Sequence, residues 1–91
     1  MLNIYQGVTY RKVGEDYLAY SPLSSETIYL TFFAYQTLEY IMANPISFSE
    51  LSKKHRQYFD SFSHDELSTM LATTIRQLSN RGFVYTSSNS I

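Results

Sequence analysis

The side chains able to do chemistry in this chain are few, and their spacing brings no catalytic set together. His55 and His64 are the two histidines. They form neither a His-x3-His nor a His-Glu-x-x-His pattern, the spacings that put two imidazoles on one helix face to grip a metal. There is no cysteine, so no thiolate nucleophile, thiolate metal site or disulfide can form. Gly7, Gly14 and Gly82 lie too far apart to build a phosphate-cradling loop. The carboxylates pair as Glu15-Asp16, beside a turn-forming glycine, and as Asp65-Glu66, where a helix start attracts acids. Covalent or acid–base catalysis needs a nucleophile, a base and an orienting group that converge. No catalytic residue, metal ligand or cofactor is therefore assigned, and the chain reads as non-enzymatic. His55 reads as a surface polar residue among basic neighbours, and His64 as a helix-end residue.

The run Lys53-Lys54-His55-Arg56 raises the question of phosphate binding. In a winged helix-turn-helix such cations can meet a DNA backbone. The third helix, which would enter the groove, carries only Arg76 and Arg81 as cations and opens with Asp65-Glu66. Base contacts come from that opening end. With a net charge of −1, the basic run reads as a solvated face and not as a nucleic-acid site.

The elements that would position any site pivot on Thr27–Met42. Its first half, Ile28-Tyr29-Leu30, is β-branched, aromatic and apolar, which predicts a strand. From Ala34 the period changes: Ala34, Leu38, Ile41 and Met42 fall on one helix face, with Thr31 as N-cap. Before this pivot, Val8–Val13 and Tyr17–Tyr20 alternate around the Gly14-Glu15-Asp16 turn. Together with Thr27–Leu30 they predict a three-stranded antiparallel meander with open outer edges. After it come three helices. The first covers about 32–43 and stops before Pro45. The second, about 48–59, opens with the capping box Ser47–Glu50, stapled by Ile46 and Leu51. Its apolar face is Phe48, Leu51, Tyr58 and Phe59, with His55 near it. The third, about 64–80, opens with Ser63–Glu66 and the staple Phe62–Leu67, and carries the stripe Leu67, Met70, Leu71, Thr74, Ile75 and Leu78. Gly82 stands where a left-handed C-cap belongs, with Phe83 as its hydrophobic contact. Phe83-Val84-Tyr85 reads as a short extended end, and 86–91 as a frayed tail.

With 91 residues and 44% hydrophobic composition, the chain is read as one small domain over 1–91 with a modest core. Nine tyrosines and six phenylalanines, without tryptophan, read first as large fillers of a small core and second as a contact surface. The N-terminal residues show no secretory signal, and no apolar run is long enough to span a bilayer. The absence of cysteine fits a reducing compartment, and a cytoplasmic location is expected.

A meander, three helices and then Gly82-Phe83-Val84 resemble the PqqD family, small winged-helix peptide chaperones also called RiPP recognition elements. The similarity is strongest to the branch found beside proteins related to the HPr kinase. That branch has a Ser-Gly-Asp-Thr-like turn, a strand and a polar helix opener. Here these are Ser24-Ser25-Glu26-Thr27, Ile28-Tyr29-Leu30 and Thr31. Leu78–Val84 follows the family's Leu-x-x-x-Gly-hydrophobic helix end. Ser25 replaces the turn glycine, and Asn44-Pro45 stands where a glycine is common. The resemblance implies an α+β winged helix-turn-helix that binds the leader of a ribosomally made precursor peptide and delivers it to a modifying enzyme. It places the peptide along the third strand, against the third helix. On this chain that means strand addition on Thr27, Ile28, Tyr29, Leu30 and Thr31, with Met70, Thr74, Gln77 and Arg81 as the opposite wall. Arg81 would pair with an acidic leader residue. The other readings are a winged-helix DNA-binding protein and a small assembly subunit pairing through its sheet edge, as in a homodimer. No membrane partner is expected.

Overall fold

The computed structural model describes residues 1–87. In chain order it has β1 (Leu2–Ile4), β2 (Thr9–Val13), β3 (Asp16–Ser21), β4 (Glu26–Leu30), α1 (Phe32–Ala43), α2 (Phe48–Tyr58), α3 (His64–Asn80) and β5 (Val84–Thr86). Strands β2, β3 and β4 form the expected antiparallel sheet, in that order. The chain is thus an α+β domain in which an antiparallel sheet precedes three helices. No helix among the described residues is long and apolar enough to cross a membrane.

Register fixes the two faces of the sheet. Tyr10, Ala19 and Ile28 lie across from one another, as do Lys12, Tyr17 and Leu30. This face packs on the helices: Ala19 is buried, and Tyr10, Ile28 and Leu30 are half-buried against the core. Because strand side chains alternate, Arg11, Leu18 and Tyr29 occupy the other face. Tyr29 there is 77% exposed. The core itself is Leu38, Leu51, Leu67, Leu71 and Phe83, each fully buried, joined by Leu2, Val8, Phe33, Ile41, Ile46 and Val84.

Each helix starts on a hydroxyl cap. Thr31 Oγ1 accepts from the Ala34 amide at 3.1 Å, and Ser47 Oγ from that of Glu50 at 3.2 Å. At α3 the box is reciprocal: Ser63 Oγ accepts from the Glu66 amide at 3.1 Å, and the Ser63 amide donates to Glu66 Oε1 at 2.9 Å. The bond from the Ser63 amide, with the Ser63 hydroxyl beside the carboxylate, holds the Glu66 carboxyl below its usual range. The expected second box, at α2, is one-sided. Ser47 caps, while no bond from the Ser47 amide to the Glu50 carboxylate forms among the described residues.

The end of α3 decides where the chain goes next. Gly82 has φ +80°, its amide donates to the Ser79 carbonyl, and the Phe83 amide donates to the Leu78 carbonyl at 2.9 Å. This is a Schellman cap, with Phe83 buried beside Leu78. A Cβ on Gly82 would stand 3.3 Å from Leu23 Cδ2 and 3.4 Å from Ser21 Oγ. That hydroxyl donates to the Gly82 carbonyl at 2.6 Å, tying the end of β3 to the turn after α3. From there β5 pairs with β1, Leu2 opposite Thr86. Strand β1 was not expected from the sequence, because three residues carry too little pattern to reveal it. The expected tail also begins later: Thr86 belongs to β5, and the Ser87 amide donates to the Met1 carbonyl at 2.9 Å. Residues 88–91 lie outside the described residues.

Three readings of side-chain placement are corrected. Met42, Phe48 and Tyr58 were expected on buried helix faces but are exposed, at 40%, 40% and 62%. Gln36, Thr37, Ser52 and His55 are buried instead. None of the nine tyrosines is fully buried, so they do not fill the core. They pair at its margins, as Tyr17 does with Tyr35 at 4.5 Å and Tyr10 with Tyr35 at 5.3 Å.

Ser25, at the turn before β4, has φ 59°, the one positive φ outside glycine among the described residues. A left-handed conformation costs an L-residue about 1 kcal/mol, and the extra chain entropy of glycine offsets roughly half of that gain. Ser25→Gly is therefore expected to stabilise the fold by about 0.5 kcal/mol. Urea denaturation measures this; a lower midpoint for the variant would show that the turn gains from the serine.

Candidate functional site

Strand β4 is an edge strand. One side pairs with β3, and the other has no strand partner among the described residues, because β5 joins β1. In an edge strand the outward N–H and C=O groups of alternate residues lack ladder partners. Natural edges are often blunted by charge. The far edge of this sheet, on β2, carries Arg11 and Lys12, whereas Thr27–Leu30 carries no charge.

The helix facing this edge stands away from it. Helix α3 packs chiefly on α2 and β5, while α1 is the helix packed on β4. The gap is a groove of about 810 Å³. Its strand side is Thr27–Thr31, and its helix side is Thr69, Met70, Thr73, Thr74, Gln77, Leu78 and Arg81. Phe33 and Ala34 of α1 complete it. All nine residues named from the sequence, from Thr27 to Arg81, line this one groove. Thr69, Thr73, Phe33, Ala34 and Leu78 were not named. Thr69 and Thr73 are the spacing that was missed: with Gln77 they repeat every fourth residue along α3, a polar row beside the apolar stripe.

The floor is apolar. Ile28, Leu30 and Met70 are half-buried against the core, and Phe33 and Leu78 belong to it. Arg81 is the one charged residue of the lining. Its guanidinium lies 3.2 Å from Glu26 Oε2. The acidic partner expected from a ligand is thus met by this chain's own first β4 residue. Both side chains are about half-exposed, so the pair adds little stability in solvent. It does place the C-terminal end of α3 at the start of β4.

Behind the groove lies a buried polar arrangement around His55, which reads from the sequence as a surface polar residue near the apolar face of α2. His55 is 0% exposed. Its ring stacks on Phe33 with centroids 4.2 Å apart at 17°. Nε2 lies 2.8 Å from Thr37 Oγ1, and that hydroxyl donates to the Phe33 carbonyl at 2.8 Å. A hydroxyl has one proton to give. With that proton on Phe33, Nε2–H must be the donor to Thr37, and Nδ1 is left as a buried acceptor without a partner. Burial pushes the imidazole down to about 4, so it is neutral near pH 7. Lys53, Lys54 and Arg56 around it remain exposed, as expected. His64 sits at the α3 start, where Arg56 donates to its Nδ1 at 3.2 Å.

Among the described residues no cluster of three or more His, Cys, Asp or Glu is placed to hold a metal ion. Compared with protein-family models, curated proteins and solved structures, the chain matches none of them.

Proposed function

We propose that this chain is a peptide-recognition module of the PqqD-like kind, a winged helix-turn-helix without enzymatic activity. In this reading the leader of a ribosomally made precursor peptide adds a strand to β4 and is carried to a peptide-modifying enzyme. One observation carries it: a strand edge without a strand partner among the described residues, uncharged over Thr27–Leu30, faces a helix across an apolar-floored groove of about 810 Å³. Main-chain hydrogen bonds to the edge would supply affinity, and pockets in the floor would supply selectivity. The lining holds threonines, Tyr29, one glutamine, Arg81 and apolar residues, with no histidine or carboxylate beside the hydroxyls to activate them.

A DNA-binding role fits less well. The opening turn of α3 presents Asp65 and Glu66, both exposed, where phosphates would approach. Self-pairing through β4 would use the same edge and is separable by experiment. Titrating the chain with a precursor peptide is expected to shift the amide resonances of Thr27–Thr31 and of α3. Shifts that track protein concentration without peptide would instead mark a homodimer. An absence of shifts at β4 at saturating peptide would end the proposal.

A further inference from the structure

The polar row of α3 matches, in spacing, the edge of a strand. Thr69, Thr73 and Gln77 all line the groove, and none makes a side-chain hydrogen bond among the described residues. Four residues of α-helix rise about 6.0 Å. A β-strand repeats the backbone groups on one edge every two residues, about 6.6–6.8 Å. Over three positions the row falls out of step by only about 1.5 Å, within the reach of flexible side chains. Hydroxyls and carboxamides both donate and accept, so the row can meet the N–H and the C=O groups of such an edge.

Resting on the reading that the groove takes an extended segment, we infer that α3 acts as the second edge for that segment. The docked strand is bonded to β4 by main chain on one side and to Thr69, Thr73 and Gln77 on the other. Recognition is then of backbone more than of side chains. Charge complementarity sets the rest of the ligand's chemistry. The lining is neutral apart from Arg81, whose charge is met by Glu26. A charge docked over the apolar floor would lose its hydration without gaining a partner. The occupant is therefore a segment uncharged over its docked length. Apolar, preferably β-branched, residues alternate in it so that every second side chain meets Ile28, Leu30 and Met70.

The test pans the full chain against a random phage-displayed peptide library about eight residues long. It then titrates the enriched peptide, as a synthetic acetylated amide, by calorimetry and amide NMR. Enrichment of uncharged, alternating β-branched sequences is expected, with shifts at β4. The triple variant Thr69→Val, Thr73→Val, Gln77→Met keeps side-chain size and should weaken binding on the order of 100-fold, as three lost hydrogen bonds imply. An amide-to-ester scan of the peptide reads the same point without altering the protein. Losses at consecutive residues mean both edges are bonded; losses at every second residue mean only β4 is, and overturn the inference. Enrichment of acidic or basic peptides, or unchanged affinity in the triple variant, also overturns it, while β4 shifts leave the groove reading standing. No enrichment, or no β4 shift, overturns both.

Discussion

Taking the protein from pH 7 to pH 4 is expected to remove about 3 kcal/mol of folding stability through His55 alone. The unfolded chain binds a proton on this residue below pH 6.5, while the folded chain refuses it until about pH 4. Across that window the unfolded state holds more protons, so stability falls as the pH falls. The physical cause is burial. His55 is closed off between Phe33, Tyr40 and Phe59, and its Nδ1 has no acceptor to receive a new N–H. Tyr40, which faces it, does not titrate here, since burial raises its hydroxyl above 10.0. The Glu66 carboxyl acts in the same direction at lower pH. Held below 4.5 by bonds from Ser63, it contributes stability that is lost as pH falls through its folded value. Urea denaturation at several pH values reads the slope, and His55→Gln should flatten it between pH 6.5 and 4. A slope that survives in the variant would place the titrating group elsewhere.

The second large effect concerns the groove. Thr74→Arg lays a long cationic side chain along a wall where Thr74 is half-buried and the floor is apolar. Filling the site and adding an unpartnered charge should weaken any peptide that docks there on the order of 100-fold. The fold should tolerate the change, because arginine forms helix more readily than threonine. Tyr58→Arg, at a residue that is 62% exposed and does not line the groove, serves as the control. Calorimetry with the peptide that shifts the β4 amides gives both numbers. Equal affinities for wild type and Thr74→Arg would place the peptide elsewhere on the surface.

The two effects meet at Phe33. One face of its ring stacks on His55, and its side chain also lines the groove.

Local signals in the sequence determined the elements. Thr31, Ser47 and Ser63 cap helices because their hydroxyls serve amides that each helix leaves unpaired. Gly82 ends α3 because it alone takes a positive φ there without strain. These are contacts between residues a few positions apart, so pattern is enough to find them. The groove residues Thr27–Thr31, Met70, Thr74, Gln77 and Arg81 were named through a resemblance, while the polar border at Thr69 and Thr73 went unread. Periodicity could not tell which polar residues are buried. His55 sits between lysines and arginine, yet lies at the centre of the α1–α2 contact, because Thr37 and Phe33, distant in sequence, supply a bond and a ring. Nor could it show that β5 would cross to β1, leaving β4 unpaired. The turn after α3, which leads into β5, is held by Ser21, a contact between residues far apart in the chain. The open edge is therefore a product of tertiary packing, since only the assembled domain determines which strand is left without a neighbour.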